Sequence, residues 1–134
     1  MNKIKISIFI FLLAFIFSSC SKVDNANDKG VGPVKELKLT EINNDMVKEG
    51  EILFQQKCST CHRLDQKLIG SALRGITNKR TPEWIMNMML NPDGMINENK
   101  SAKELFEKMK VRMSPQNLDE KQARNILEYL RTQN

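Results

Sequence analysis

Five consecutive residues, Cys58 to His62, place two thiols and an imidazole in one short stretch of chain. Cys58 and Cys61 are three positions apart and His62 follows directly, so the three side chains fall within about one helical turn. Each thiol can add across one vinyl group of a porphyrin, and the imidazole can bind the iron at its centre. This C-x-x-C-H spacing is typical of c-type haem attachment. It predicts one covalent haem c held by Cys58 and Cys61, with His62 as an axial ligand of the iron.

Two other chemistries could use the same cysteines. A structural zinc site needs four ligands, but Cys58, Cys61 and His62 provide three, and Cys20 is the remaining thiol of the chain. A redox dithiol of the thioredoxin kind needs a βαβ setting, and no strand pattern is visible in the sequence. Both alternatives are therefore disfavoured relative to haem.

Among the methionines that could supply a second axial ligand, Met113 is the favoured candidate. It begins the turn Met113-Ser114-Pro115, where the proline constrains the backbone. Met95 and Met109 are further candidates. Three others have packing spacing within one predicted helix, which is typical of flexible core fillers: Met86, Met88 and Met89. A histidine and a methionine together raise the reduction potential of the iron and fill both axial positions. This favours electron transfer over catalysis, so no catalytic residue is expected.

The start of the chain is typical of a secretory signal. Lys3 and Lys5 precede the apolar run from Ile6 to Phe17, which is too short for a membrane span. The next residues, Phe17-Ser18-Ser19-Cys20, resemble a bacterial lipobox, in which the cysteine becomes the lipidated first residue of the mature protein. Phe17 stands where the lipobox usually has leucine. Cleavage by an ordinary signal peptidase would instead leave a soluble protein with a spare thiol.

These features predict three parts of the chain. Residues 1–19 form the signal peptide, 20–43 a lipid anchor and flexible tether, and 44–134 the folded domain. The tether is predicted from polar composition and from the helix breakers Gly30, Gly32 and Pro33. The alternative is that 34–42 packs on the domain as an irregular arm.

Composition supports a bound group at the centre of this domain. The chain has a net charge of +5, and losing the two leader lysines leaves 19 basic against 16 acidic residues, or +3. That balance does not point to nucleic-acid binding. Four of the six phenylalanines leave with the leader, so a domain of roughly 90 residues keeps few large apolar side chains and is marginal alone. A flat apolar macrocycle would supply the missing core.

Helical periodicity recurs along the predicted domain, and no strand or repeat is visible. Helices are predicted from about 44 to 57, from a Thr81 cap to just before Asn91-Pro92, from about 101 to 110, and from an Asp119 capping box to about Arg131. Asp93-Gly94 is expected to continue the turn that ends the second of these. Gly50 is expected to let the last helix approach the first, with Tyr129 over it.

From about Asn44 to its end, the chain resembles the class I c-type cytochromes. The residues that carry this resemblance are Gly50, Phe54, the Cys58–His62 motif, Ile69-Gly70, Pro82-Glu83-Trp84, Asn91-Pro92, Met113 and Tyr129-Leu130. The resemblance implies an all-α cytochrome c fold, with about four to five helices wrapped around one covalently bound haem and Met113 as second axial ligand. One departure is Ser71, where many members have proline. Its carbonyl would accept the proton on the outer nitrogen of His62.

The resemblance also suggests residues around the edge of the haem. Trp84 and Arg74 are candidates to hydrogen-bond a haem propionate, with a core tryptophan and a solvated arginine as the alternatives. Lys108, Lys110 and Arg112 could steer an acidic redox partner, or could form an ordinary solvated face.

The sequence therefore predicts a monomeric, lipid-anchored, one-electron carrier on the periplasmic side of the cell envelope. We expect its donor to be a quinol-oxidising complex and its acceptor a terminal oxidase or reductase such as nitrous-oxide reductase. The alternatives are a haem sensor or peroxidase-like enzyme with an open axial site, and a dedicated electron inlet for one larger enzyme.

Overall fold

The structure, a computed structural model, describes residues 27–134, so the predicted signal peptide and Cys20 lie outside the described residues. That range contains five α-helices, one short 3₁₀ helix and no strand: α1 (Asn44–Lys57), the 3₁₀ helix (Ile76–Asn78), α2 (Pro82–Leu90), α3 (Pro92–Glu98), α4 (Lys100–Met109) and α5 (Glu120–Arg131). The prediction of an all-α fold is confirmed. Between residues 27 and 134, none of the helices combines the length and the apolar character that crossing a bilayer requires.

The first and last helices form the central contact of the fold. Gly50 is buried, and a Cβ atom there would lie 2.6 Å from the carbonyl carbon of Asn125 and 3.0 Å from Cβ of Tyr129. Any larger residue would therefore push α1 away from α5. The rings of Phe54 and Tyr129 pack beside this point, with their centroids 5.4 Å apart. The expected approach of the two helices at Gly50 is confirmed.

The end of the chain forms its predicted helix with the predicted cap. Asp119 accepts a hydrogen bond from the backbone N–H of Gln122, and the Gln122 side chain accepts one from the backbone N–H of Asp119. This capping box satisfies two donors that the start of a helix leaves unpaired. The apolar face of α5 is buried: Ala123, Ile126, Leu127 and Leu130.

One local prediction was wrong: Asp93-Gly94 does not continue a turn but lies in the first turn of α3. Asn91 ends α2 and also begins α3, because its side chain accepts a hydrogen bond from the N–H of Gly94, 3.3 Å away. Pro92 disfavours continuation of α2 but suits the first position of a new helix, where no N–H is needed. Met95 then buries its whole side chain and fixes α3 to the core.

The prediction of a flexible tether is corrected for residues 28–43, which pack on the helices as an irregular arm. The side chain of Asn87, on α2, donates to the carbonyl of Val34 and accepts from its N–H, at 2.8 and 3.0 Å. Farther along, Glu83 accepts from the N–H of Leu37 at 3.0 Å. Backbone groups of an irregular segment need such partners once they leave water. The arm therefore begins before residue 34, where the alternative prediction placed its start.

Candidate haem site

A large apolar cavity opens between the C-terminal end of α1 and helices α2, α3, α4 and α5. Its walls include one apolar side chain from each helix: Phe54, Ile85, Ile96, Leu105 and Ile126. The cavity has a volume of about 170 Å³, whereas about 10–15 Å³ is enough to hold one water molecule. Protein interiors are otherwise close-packed, so this space fits a large apolar group.

Both cysteines of the motif lie on the wall of this cavity. Cys58 follows the last turn of α1 and is 8% exposed, whereas Cys61 is exposed. Burial, together with the neighbouring thiol of Cys61, raises the pKa of Cys58 to about 11. A neutral sulfur is thus preferred at Cys58, which suits a thioether linkage, since a thioether carries no charge in its apolar surroundings.

His62 also lines the cavity, and its ring is oriented by the loop that follows. Its Nδ1–H donates to the carbonyl of Ser71, 2.9 Å away. That bond fixes the tautomer and leaves Nε2 unprotonated and available to a metal. The loop carbonyl expected at Ser71 is therefore present without proline.

Gly70 provides the space for this ring, a role that sequence reasoning did not assign to it. A Cβ atom at Gly70 would lie 2.7 Å from both Nδ1 and Nε2 of His62, closer than any real side chain could approach. The glycine was visible in the Ile69-Gly70 pair, but its contact with His62 depends on the path of the loop.

Four methionines line the cavity: Met88, Met89, Met109 and Met113. Met113 lies in the segment between α4 and α5, as predicted, and is partly buried. Met95 does not line the cavity. Its sulfur instead accepts a hydrogen bond from the N–H of Val31 in the arm, 2.9 Å away. In this arrangement Met95 is unsuited to be the second ligand, and Met109 and Met113 are the candidates outside α2.

The two propionate candidates have other partners, and neither lines the cavity. The indole N–H of Trp84 donates to Ser101 and Asn99, at 2.9 and 3.2 Å, and the ring is 4% exposed. Trp84 thus joins α2 to the start of α4. Arg74 is paired with Asp65 on the surface, and one of its hydrogen bonds measures 3.1 Å. A propionate contact by either residue stays a prediction.

The basic residues near Met113 are partly paired within the molecule. Lys110 contacts Glu107 at 2.6 Å and Arg112 contacts Asp93 at 3.0 Å, and all four side chains are at least 44% exposed. Arg112 also lines the cavity. Pairing lowers the net field that these cations present to a partner.

The residues of the cavity fit a covalently attached haem. Its wall is mostly apolar and is built by residues of all five α-helices. Two thiols lie on it, together with one imidazole that the Ser71 carbonyl orients. Zinc gains no support, because no three His, Cys, Asp or Glu side chains between residues 27 and 134 are grouped as a metal site requires.

The fold and the cavity together define an all-α protein built around a covalently bound haem c. The chain belongs to the cytochrome c family, whose sequence pattern matches residues 47–134. Members of this family carry covalent haem c and are in general electron carriers.

Comparison with solved structures supports the assignment to the cytochrome c family. The chain is similar to the cytochrome c from Rhodothermus marinus, with 48% identity and a TM-score of 0.73 over 75% of this chain and 88% of that one. It is similar to the engineered form Rma TDE, with 47% identity and a TM-score of 0.73 over 75% and 89% of the two chains. The same engineered protein bound to a carbene intermediate gives 48% identity and a TM-score of 0.70 over 75% and 88%. No curated protein sequence matches the chain.

Proposed function

We propose that this protein is a one-electron carrier in which Cys58 and Cys61 attach the haem and His62 and Met113 are the axial ligands. The observation that supports this most strongly is that all four side chains lie on the wall of one apolar cavity. They come from two segments separated by about fifty residues, so their convergence requires the whole fold.

Each residue has a distinct physical role in this proposal. Haem, when bound, supplies the iron that alternates between Fe(III) and Fe(II). Cys58 and Cys61 fix the group in the cavity, and the Ser71 carbonyl holds His62 in the tautomer that can bind metal. The thioether of Met113 is a soft, neutral ligand that favours the reduced state. Apolar side chains such as Ile85 and Ile126 exclude water from the cavity. Little solvent therefore has to reorient when the iron gains or loses an electron.

The cellular setting is part of the proposal. The lipobox-like segment ending at Cys20 supports a lipid anchor on the periplasmic side of the cell envelope. There, a quinol-oxidising complex would be the donor and a terminal oxidase or reductase, such as nitrous-oxide reductase, the acceptor. Contacts of this kind bury little surface and are short-lived, which suits a monomer kept near its partners by a lipid anchor.

A haem sensor or peroxidase-like enzyme is the alternative, and it requires an open position on the iron. The engineered Rhodothermus marinus protein bound to a carbene intermediate is a specific reason to test for one. The measurement is the absorption spectrum of the haem-loaded protein, because methionine ligation of ferric haem gives a weak far-red band and an open site gives a high-spin spectrum.

The test compares wild type with Met113→Ala, and Met109→Ala is the matched control because Met109 lines the same cavity. We expect a low-spin wild type with the far-red band, loss of the band in Met113→Ala, and its retention in Met109→Ala. The reverse pattern would assign Met109 as the ligand. A high-spin wild type that binds carbon monoxide readily would overturn the carrier and favour the sensor or peroxidase.

A further inference from the structure

The segment that carries Met113 has few polar contacts with the rest of the molecule. Residues 110–117 form no helix, and the two positions near its ends, Lys110 and Asn117, have positive φ angles of 56° and 53°. Positive φ angles are conformationally unfavourable for residues other than glycine. We call residues 110–117 the ligand loop.

Between residues 27 and 134, Arg112 makes the one polar side-chain contact that joins positions 111–117 to another helix. Its Nη1 donates to Oδ1 of Asp93, in the first turn of α3, at 3.0 Å. Its guanidinium also lies over the ring of Phe106, on α4, 5.3 Å from the centroid. The other polar contacts are local: Gln116 donates to the carbonyl of Ser114, and Lys110 pairs with Glu107 one turn back.

Arg112 is also one of the residues that line the cavity. Its aliphatic stem can thus cover apolar surface while its charged end reaches α3. Arg112 directly precedes Met113 in the chain. Contacts that restrain Arg112 therefore also limit the movement of Met113.

We propose that Arg112 is a positioning residue that keeps Met113 on the iron by fastening the ligand loop to α3 and α4. This rests on the proposed function, since it assumes that Met113 is the ligand. In this role Arg112 acts through the ligand loop and is not a ligand of the iron. It shifts the balance between a closed loop and a loop open to an external ligand.

That balance can be measured with imidazole, which binds ferric iron only when Met113 has left. The apparent affinity for such a ligand is reduced by the fraction of protein in the open state. The ion pair is half-exposed, so it contributes modestly, and the contact with Phe106 adds a similar amount. Arg112→Gln should therefore tighten imidazole binding by about threefold to thirtyfold.

Two matched variants separate the interaction from a general change of charge. Asp93→Asn and Glu107→Gln each remove one exposed carboxylate, but Asp93 on α3 pairs with Arg112, whereas Glu107 on α4 pairs with Lys110, the first residue of the ligand loop, three positions away. We expect Asp93→Asn to tighten imidazole binding by about twofold to fivefold and Glu107→Gln to leave it unchanged. The double variant Arg112→Gln/Asp93→Asn should resemble Arg112→Gln alone, since both changes break the same contact.

Salt provides a readout that a merely structural role would not give. Screening weakens an exposed pair, so imidazole should bind wild type more tightly as ionic strength rises, while Arg112→Gln should respond less. If Arg112→Gln binds imidazole as wild type does, with the same salt dependence, the positioning role is wrong even though Met113 is the ligand. If wild type lacks the far-red band, or Met113→Ala retains it, the proposed ligand set fails first.

Discussion

At the scale of single residues, two neighbouring residues of one loop position the proposed proximal ligand, His62. Ser71 accepts the Nδ1 proton of His62 through its backbone, and Gly70 leaves room for the ring by having no side chain. Only the backbone of Ser71 is used, which explains why serine can replace the proline of many relatives. Gly70, by contrast, leaves no room for a side chain, because a Cβ atom there would collide with Cε1 of the His62 ring.

The first prediction tests this division of roles. Gly70→Ala should displace the His62 ring, weaken the far-red band and destabilise the haem-loaded protein by about 1–3 kcal/mol, as overpacking usually does. Ser71→Ala is the control and should change neither quantity, because its carbonyl is retained. Absorption spectra and urea unfolding measure both effects. A normal Gly70→Ala protein would mean that the loop moves freely enough to accommodate a methyl group.

At the scale of elements, the arm is joined to α5 by a buried carboxylate. The side chain of Glu128 is fully buried and accepts from the backbone N–H of Asn43 at 2.9 Å and from Arg131 at 2.8 Å, while Arg124 also pairs with it. Arg131 extends the connection by donating to the carbonyl of Thr40 at 2.8 Å. Burial alone would raise the pKa of Glu128, but these hydrogen bonds and charges outweigh it and lower the pKa below its ordinary value of 4.5.

The second prediction follows from that lowered pKa. As the pH falls, the unfolded chain takes up the Glu128 proton before the folded protein does. The contribution of Glu128 is therefore complete above the ordinary value of 4.5 and is lost as the pH falls through the lower folded-state pKa. Glu128→Gln should lower the free energy of unfolding by roughly 3 kcal/mol at neutral pH, since it leaves two partly buried arginines without their partner.

The pH dependence of unfolding distinguishes this from a loss of packing. Urea unfolding of wild type and Glu128→Gln should show a difference that narrows as the pH is taken well below 4.5. The exposed Glu120→Gln at the start of α5 is the control and should follow wild type throughout. A wild-type advantage that stays constant with pH would show that the carboxylate charge is not what stabilises the arm.

The helices illustrate what could be predicted from the sequence. Periodicity and caps are local properties, so α1, α2, α4 and α5 were found within a residue or two of their ends. The Asn91–Gly94 segment was missed because Asn, Pro, Asp and Gly are typical both of turns and of a helix start. Only the burial of Met95 in the core favours a helix, α3, over a turn at this point.

The arm and the cavity walls show where local patterns are insufficient. Asn87 and Glu128 are polar residues on helix faces that become buried, and their partners lie 53 and 85 positions away in the chain. No local pattern identifies such partners. The C-x-x-C-H motif was specific because covalent attachment demands its spacing, whereas the contact of Arg112 with Asp93 depends on how α3 is placed.

At the scale of the whole molecule, the packed arm shortens any tether. Asp28 already contacts Ser101 and Asn99, each at 2.7 Å, and it is eight residues after Cys20 in the sequence. Eight residues span at most about 29 Å even when fully extended. A lipid on Cys20 would hold the domain close to the membrane surface. None of residues 27–43 lines the cavity, so the arm itself does not cover the haem site.

The last prediction tests the anchor without disturbing the haem. Cys20→Ala should move the protein from the membrane fraction into the soluble periplasmic extract, because transfer of the lipid requires the thiol. Its spectrum should equal that of wild type, since all the described residues that line the cavity lie at Phe54 or later in the chain. Fractionation followed by haem staining and intact-mass measurement decides the matter, with Ser21→Ala as the control that keeps the anchor. A wild type of unmodified mass would contradict lipidation, and so would a Cys20→Ala protein that has lost its leader, by intact mass, and still stays with the membrane.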